Sequence, residues 1–230
     1  MPPGKVFSTA ETALADVFDG AVLLIGGFAG IGVPEGLLKA LHDRGIGGLT
    51  CICQSASGGS PTTSNAFGVA ELVANGQVKK IISPLPVYPG AGGPMEDRRK
   101  SGELEIDVVP QGILAERLRA GGAGLGGVFL PTGLGTRFAD GKEHRRIGEQ
   151  ECILETPLRA DFALLRAYAA DTLGNLVYRG TQRNWNPVMA TAATITIAEV
   201  DHICEPGRLD PEAVIAPGIF VHRVVKANVR

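Results

Sequence analysis

The chain has 230 residues, of which 44% are hydrophobic and 20% charged, and its formal net charge is -2. This composition is typical of a globular protein and excludes an extended disordered one. The small net charge gives no electrostatic basis for binding nucleic acid or a membrane surface. No apolar run reaches the roughly 20 residues of a transmembrane helix, and the first residues lack the apolar core of a secretory signal. We therefore expect a single domain over residues 1–230, located in the cytoplasm.

Short apolar segments alternate with helical patterns along most of the chain. Strands are predicted over residues 21–25, 49–53, 80–83, 104–109, 162–168, 175–178, 194–200 and 219–225. Helices are predicted over residues 35–41, 68–74, 113–120 and 187–193, and a capping box at residues 8–11 precedes a further short helix. This alternation predicts an α/β fold with a largely parallel sheet covered by helices.

The sequence predicts the structure of three segments that connect these elements. Residues 84–102 are rich in proline and glycine and are predicted to form a long loop, which favours a functional or mobile role. Residues 137–151 are polar and predict an exposed excursion. Gly121 and Gly122 are predicted to end the helix before them.

The cysteines and histidines do not have the spacing of a metal site. Cys51 and Cys53 are separated by one strand residue, so they share a face of the strand and are predicted to be buried, reduced thiols. The remaining cysteines and the four histidines are scattered along the chain. We expect no bound metal and no permanently bound cofactor.

The most informative segment is a glycine-rich stretch that follows the first predicted buried strand. Residues 26–32 read Gly-Gly-Phe-Ala-Gly-Ile-Gly, and Pro34 then opens a helix. Such a loop can present backbone N–H groups to an anion or a carbonyl oxygen. A tight strand-to-helix turn without a ligand is an equal alternative. A P-loop is excluded because no Gly-Lys-Ser/Thr follows, and the spacing does not fit a dinucleotide fingerprint.

Several motifs in order along the chain resemble one known family. They are the glycine-rich loop, residues 110–124 beginning Pro-Gln-Gly-Ile-Leu-Ala-Glu-Arg, residues 131–136 (Pro-Thr-Gly-Leu-Gly-Thr), residues 183–190 (Arg-Asn-Trp-Asn-Pro-Val-Met-Ala), and residues 199–201 with 217–221. Together they closely resemble the A-type (alpha) subunit of the two-subunit class I coenzyme A transferases, of the 3-oxoacid and acetate type. The resemblance covers nearly the whole chain and implies the α/β CoA-transferase fold.

The resemblance implies a ping-pong reaction between an acyl-CoA, such as succinyl- or acetyl-CoA, and a carboxylic or 3-oxo acid. In that family a glutamate of the B-type subunit forms an acyl anhydride and then a glutamyl-CoA thioester. This chain has no Glu-Asn-Gly sequence, so no nucleophile is expected in it. The implied partner is the B-type subunit, in an A2B2 heterotetramer, and the CoA thioester is a substrate. Residues 26–34 and 121–135 are candidates for an apolar partner face.

The resemblance also implies site residues. The segment assigned to CoA binding comprises Gly26, Gly27, Phe28, Ala29, Gly30, Ile31 and Gly32. Candidate substrate-side residues are Gln54, Gln111 and Glu116. For Gln111 a purely structural role at a helix start is equally good, and for Glu116 a surface charge is the simpler interpretation. Asn184 and Asn186 are predicted to cap the helix that follows Pro187.

Some segments depart from the family pattern. Ala29 replaces a common glycine, residues 54–59 replace Asn-Asn-Ala-Gly, and residues 84–97 differ from the usual version. These differences leave the acid substrate open. They also leave two other classes open: a CoA-ester hydrolase or lyase subunit on the same fold, and a sugar-phosphate isomerase or translation-factor-like regulator, which fold analogy alone supports.

Overall fold

A computed structural model describes residues 4–56, 67–86 and 93–227. Within these ranges, the helices are α1 (Ala10–Ala13), α2 (Glu35–Arg44), α3 (Val69–Ala74), α4 (Pro94–Ser101), α5 (Gln111–Ala123) and α6 (Asn186–Thr191). The strands are β1 (Val6–Phe7), β2 (Val22–Ile25), β3 (Leu49–Cys53), β4 (Val78–Ser83), β5 (Glu105–Val108), β6 (Val128–Leu130), β7 (His144–Ile147), β8 (Gln150–Glu155), β9 (Ala160–Asp171), β10 (Leu176–Val177), β11 (Ala193–Cys204) and β12 (Arg223–Lys226).

The central sheet is parallel along its main path, which confirms the predicted α/β architecture. Its strand order is β1-β12-β11-β9-β2-β3-β4-β5, and β10 pairs with β9 in the antiparallel direction. Hydrophobic cores lie on both faces: Leu23 packs into one, and its neighbour Leu24 packs into the other. Burial on both faces explains why the strands read as continuous apolar runs in the sequence.

The order of the strands reverses between β2 and β9. The chain leaves β2 through α2 toward β3 on one side, whereas it leaves β9 through α6 toward β11 on the other side. The two connections diverge at the carboxyl edge of the sheet. Ligands of open α/β sheets bind in the crevice at such a switch point, so the fold by itself indicates where a site lies.

The cysteines of β3 behave as predicted. Cys51 and Cys53 are buried on one face of the sheet, and Ile52 between them packs on the opposite face. Both thiols are free. Burial raises the pKa of the Cys53 thiol to about 12 and that of Cys51 well above its usual range. These thiols therefore stay protonated at neutral pH and are not nucleophiles.

Helices α1 and α5 have boundaries that differ from the prediction. The cap of α1 is Thr9: its hydroxyl accepts the Thr12 amide, and the Thr12 hydroxyl accepts the Thr9 amide, so the capping box lies one residue later than residues 8–11. The helix predicted to end at Gly121 and Gly122 continues to Ala123, and Gly124 in the left-handed region ends it. Both inner glycines pack closely: a Cβ at Gly121 would lie 2.1 Å from the Leu158 carbonyl oxygen, and one at Gly122 2.0 Å from Thr191 Oγ1.

The segment predicted as a loop over residues 84–102 contains α4. Pro94 occupies the first helical turn, where its missing N–H costs nothing, and Gly102 ends the helix in the left-handed region. Glu96 and Lys100 form an ion pair one turn apart on this helix. Residues 87–92 of the predicted loop lie outside the described residues, as do residues 57–59 of the divergent segment that begins at Gln54.

The polar excursion predicted over residues 137–151 is exposed, as expected, but it is more regular than predicted. It contains β7, and a turn at Gly148 connects β7 to β8 as a hairpin that pairs further with β6 in a separate antiparallel sheet. The last predicted strand, residues 219–225, begins instead with a 3₁₀ turn at Gly218–Phe220 and is extended only in β12. The helix predicted at 187–193 is α6, which begins and ends earlier.

Candidate functional site

The glycine-rich loop leaves β2 at the switch point and folds into a tight turn. The amide of Phe28 donates to the Ile31 carbonyl at 2.9 Å, and the amide of Ile31 donates back to the Phe28 carbonyl at 2.9 Å. The two central residues both have positive φ, 48° at Ala29 and 85° at Gly30. Positive φ at both central positions is the signature of a two-residue type I′ hairpin turn.

Ala29 is an unusual residue for this conformation. Among the described residues it is the only one other than glycine with a positive φ. The left-handed region costs an L-residue with a Cβ roughly 1–2 kcal/mol. Ala29 also replaces the glycine that the resemblance predicts at this position, and the turn forms with the alanine in place.

Glycines at the two ends of the turn are required by contacts within the chain. Gly27 has φ 117°, and a Cβ there would lie 2.6 Å from Val33 Cγ2. Gly32 has φ 74°, and a Cβ there would lie 3.0 Å from Asn186 Nδ2 and 3.1 Å from Gln182 Cα. Internal packing thus accounts for these glycines without a ligand. A bulky substitution at Gly27 or Gly32 therefore distorts the loop before any ligand is considered.

Asn184 and Asn186 do not cap α6, contrary to the prediction. The helix has Trp185 at its cap position without a side-chain cap bond. Both amides instead reach the glycine-rich loop: Asn184 Nδ2 donates to the Ile31 carbonyl at 2.9 Å, and Asn186 Nδ2 donates to the Gly32 carbonyl at 3.1 Å. A local capping rule gave the wrong role because the partners are more than 150 residues away.

A groove of about 720 Å³ lies beside this loop. Gly30 and Gly32 border it, as do the start of α2 and the carboxyl halves of β9 and β11. Its charged lining comprises five carboxylates and three cations: Glu11, Glu35, Asp43, Glu199, Asp201, Lys39, Arg166 and Lys226. The surplus of carboxylates makes this groove a poor binding site for a polyphosphate.

Three charged residues at the floor of the groove form a network that sequence reasoning missed. Arg166 on β9 donates from one terminal nitrogen to Glu199 and from the other to Asp201, both on β11. In the sequence, such a residue is recognisable as a charge inside an otherwise apolar strand, as in Leu164-Leu165-Arg166-Ala167. Ionised side chains are rarely buried unless they are paired, so such a charge predicts a partner in the fold.

Glu199 also forms a hydrogen bond with the start of α2. Its Oε2 accepts the Leu37 amide at 2.9 Å, and a Cβ on Gly36 would lie 2.9 Å from the same oxygen. Burial raises the pKa of the Glu199 carboxyl, while Arg166 and the amides of Leu37 and Gly36 act in the opposite direction. The network thus joins the two strands on one side of the switch point to the helix on the other.

Gln54 lies directly after β3 and is buried. Its main-chain carbonyl accepts the Ser83 hydroxyl at 2.9 Å, but its side-chain Oε1 has no partner among the described residues. An unpaired buried polar atom is costly, so it indicates a missing partner. The adjacent Ser55 and the glycines Gly26 and Gly27 border one small cavity of about 20 Å³. The structure therefore brings the Gln54 segment to the glycine-rich loop.

Gln111 and Glu116 are not brought to the loop. Gln111 is the exposed first residue of α5, which follows β5; β5 lies about 14 Å from β2, three strand spacings of roughly 4.8 Å. Glu116 forms an ion pair with Arg119 at 2.7 Å on the same helix. This arrangement matches the surface-charge interpretation of Glu116. Among the described residues, no group of three or more metal-ligating side chains is close enough to hold a metal ion.

The fold and the loop define a class: a parallel α/β protein whose candidate site lies at the switch point of the sheet, with no cluster of metal-ligating side chains among the described residues. The described part of the chain has no helix long and apolar enough to cross a bilayer. The sequence profile of the family described as Coenzyme A transferase matches residues 7–227. The chain belongs to the coenzyme A transferase family.

Similar proteins agree with this assignment. The chain is 47% identical to the A-type subunit of the succinyl-CoA:3-ketoacid coenzyme A transferase of Xanthomonas campestris pv. campestris strain B100, over 96% of this chain and 88% of the relative. It is 43% identical to the A-type subunit of the probable succinyl-CoA:3-ketoacid coenzyme A transferase of Bacillus subtilis strain 168, over 96% of this chain and 90% of that protein.

A solved structure shares the fold. The acyl-CoA transferase of Escherichia coli O157:H7, crystallised as a thioester complex with CoA, superposes with a TM-score of 0.82 at 22% identity. The match covers 99% of this chain and 48% of the E. coli chain, so this chain spans about half the length of that protein.

Proposed function

We propose that this chain is the non-nucleophile, A-type subunit of a heteromeric CoA transferase that moves CoA between an acyl-CoA and a carboxylic or 3-oxo acid. The observation that carries the proposal is the glycine-rich turn held open at the switch point of a coenzyme A transferase fold. The relatives named above are subunits of transferases, which favours transfer to an acid over hydrolysis or lyase chemistry.

The proposed reaction needs a nucleophile that this chain does not supply. A glutamate carboxylate of the B-type subunit first attacks the acyl-CoA carbonyl, which gives a mixed anhydride and CoA thiolate. The thiolate then attacks the glutamyl carbonyl and releases the acyl group as a free carboxylate. The second acid reverses these steps: its carboxylate attacks the glutamyl thioester and displaces the CoA thiolate, which gives a second mixed anhydride. The thiolate then attacks the acyl carbonyl of this anhydride, which gives the new acyl-CoA and releases the glutamate carboxylate. No cofactor is consumed, and the CoA thioester is a substrate.

The glycine-rich turn is the group in this chain suited to the tetrahedral steps. Each step develops negative charge on a carbonyl oxygen, and preorganised N–H groups stabilise such an oxyanion strongly. The amides of Gly26, Phe28 and Ile31 already donate within the chain. The candidate donors are therefore the amides of Gly27, Gly30 and Gly32. Their fixed geometry costs no reorganisation during the reaction.

The other substrate contacts divide between the two subunits in this proposal. The carboxylate-rich groove disfavours the phosphates of CoA, so we expect the nucleotide end to lie elsewhere in the assembly. Gln54 is the candidate on the acid side, because its buried Oε1 has no partner among the described residues and a carboxamide can present either a donor or an acceptor after rotation. Gln111 and Glu116 have no comparable support.

The proposed partner face includes the turn itself. Phe28 and Ile31 are 38% and 43% exposed at its tip, and Leu125 is 44% exposed in the segment after α5. Gly121 and Gly122, in contrast, pack inside this chain. The names of the relatives, which are A-type subunits, also support the need for a second unit.

The test is co-expression. The chain is produced alone and together with a candidate B-type subunit that carries Ser-Glu-Asn-Gly, and CoA transfer from succinyl-CoA to a panel of 3-oxo acids is measured. We expect transfer only from the pair, and no transfer from a pair in which that glutamate is changed to glutamine. Turnover by the chain alone would overturn the proposal.

A further inference from the structure

One buried amide holds both ends of the glycine-rich loop. Asn186, the first residue of α6, is fully buried. Its Nδ2 donates to the Gly32 carbonyl at 3.1 Å and to the Gln182 carbonyl at 2.9 Å, and its Oδ1 accepts the Arg166 amide at 3.0 Å. The side chain thus connects the loop to β9 and to the 3₁₀ turn at Gly180–Arg183, which precedes α6.

Gly26 leaves the space that this amide occupies, because it has no side chain. A Cβ at Gly26 would lie 1.9 Å from Asn186 Oδ1, so the amide occupies the space of the missing side chain. A Cβ at Gly32 would lie 3.0 Å from Asn186 Nδ2. Because the first and last glycines of the loop contact the same side chain, a shift of Asn186 moves both ends of the loop.

Asn184 supports the tip of the loop in a similar way. Its Nδ2 donates to the Ile31 carbonyl at 2.9 Å and to the Thr181 carbonyl at 2.7 Å. The hydrogen bonds between Phe28 and Ile31 fix the shape of the turn, but they do not fix where the turn lies relative to the sheet. The two asparagine amides supply that connection.

We propose that Asn186 is a positioning residue for CoA transfer: it sets the loop amides at the distance from the reacting carbonyl that the tetrahedral steps require. This role rests on the proposed function. Displacement of a preorganised group by about 1 Å costs on the order of 10²-fold in rate, so removal of the Asn186 amide affects kcat more than substrate binding.

The kinetic experiment uses this chain in complex with its B-type partner. Asn186→Ala is expected to lower kcat on the order of 10²-fold with KM for the acyl-CoA little changed. The matched control is Asn175→Ala, because Asn175 also uses both amide atoms, to Gly218 and Asp171, in a different part of the fold. Asn175→Ala should lower stability similarly and leave kcat unchanged. Equal kcat values in the two variants would overturn the proposal.

A second pair of variants keeps the test valid if Asn186→Ala folds poorly. Asn184→Ala, at a half-exposed position, should show a smaller loss of kcat with the same unchanged KM. The double variant Gly26→Ala/Asn186→Ala should lose no more activity than Asn186→Ala alone, because the two changes act on one contact. Independent, multiplying losses would contradict the contact as the cause.

Amide hydrogen exchange separates the proposal from the proposed function. In the chain without substrate, Asn186→Ala should speed exchange over residues 26–33, and Asn175→Ala should not. Faster exchange with unchanged kcat would overturn the positioning role. A wild-type pair without CoA transfer would overturn the proposed function and the kinetic role with it, and exchange would still decide whether Asn186 holds the loop.

Discussion

Glu199 Oε2 on β11 accepts a hydrogen bond from the main-chain amide of Leu37 at 2.9 Å. This bond joins β11, on one side of the switch point, to α2 on the other side. Arg166 completes the connection by pairing with Glu199 and Asp201. The walls of the candidate site are therefore held by buried charge, and changes in that charge give measurable effects on stability.

We expect Arg166→Met to lower the free energy of unfolding by about 3 kcal/mol at neutral pH, since it leaves the buried Glu199 carboxylate and the partly exposed Asp201 without their cation. Arg166 lowers the pKa of Glu199, which burial raises. In the variant that pKa rises further, so the folded state holds a proton that the unfolded state releases above about pH 4.5. The variant should therefore lose stability relative to wild type as pH rises above the already raised pKa of wild-type Glu199.

Urea unfolding of both proteins between pH 4.5 and 8 measures this effect. The control is the double variant Arg166→Met/Glu199→Gln, which removes the unpaired charge of Glu199. This variant should recover part of the lost stability at neutral pH, and its stability should depend less on pH. A deficit for Arg166→Met that stays constant across this range would contradict the assignment of the effect to Glu199.

The strained position Ala29 gives a second prediction. Ala29→Gly should change the free energy of unfolding by less than about 0.5 kcal/mol, because relief of the left-handed strain offsets the greater freedom of glycine in the unfolded chain. Ala29→Val should cost about 2 kcal/mol, since a β-branched residue is poorly tolerated at positive φ. Thermal unfolding of both variants tests this.

Ala15→Val is the control for the valine substitution. Ala15 is exposed and, unlike Ala29, has no positive φ. This change should stay within about 0.5 kcal/mol of wild type, as surface substitutions usually do. A similar loss at both positions would show that backbone strain at Ala29 is not the cause.

Two buried glutamines provide a matched comparison that tests the proposed acid-side role of Gln54. Gln77 donates to the carbonyls of Leu41 and Ile46, whereas Gln54 Oε1 has no partner among the described residues. We expect Gln77→Met to cost about 2 kcal/mol of stability, because it leaves buried carbonyls without their hydrogen-bond donor. The kinetic constants should stay unchanged. Gln54→Met should be neutral or stabilising and should raise KM for the acid on the order of 10-fold, the loss of about one hydrogen bond.

Steady-state kinetics of the assembled pair, with the acid and the acyl-CoA varied in turn, distinguish the two glutamines. An increase in KM for the acid alone supports Gln54 as an acid-side residue. If Gln54→Met lowers stability as much as Gln77→Met and leaves every kinetic constant unchanged, Gln54 is a structural residue.

The sequence predicted the sheet and the position of the glycine-rich loop because both depend on local patterns. The bounds of β3 were predicted without error, since Leu-Thr-Cys-Ile-Cys is apolar and preceded by glycines. Helix α4 was missed because its short charged sequence lies among prolines and glycines, where Pro94 reads as a breaker although it begins the helix.

Long-range contacts limited what could be predicted about the site. Nothing near Asn186 in the sequence indicates that its amide contacts Gly26 and Gly32, and the local pattern before Pro187 favours a cap instead. Ala29 carries none of the Asn, Asp or Gly preference of a type I′ turn, so the turn was not predicted. The charge of Arg166 within an apolar strand, in contrast, was a usable signal of a buried network.

The exposed turn also determines how the subunits are expected to assemble. If the turn at Phe28 and Ile31 packs against the B-type partner, the co-expressed subunits should elute as one species with equal amounts of each, in the A2B2 stoichiometry expected of a closed symmetric assembly. Light scattering coupled to size exclusion measures the mass. Ile31→Asp should weaken this assembly, because a carboxylate in an apolar obligate interface is left unpaired. The control Ile219→Asp changes an isoleucine that is 80% exposed and lies outside the proposed partner face, so it should leave the mass unchanged. A stable chain that stays monomeric in the presence of the B-type partner would contradict the proposed assembly.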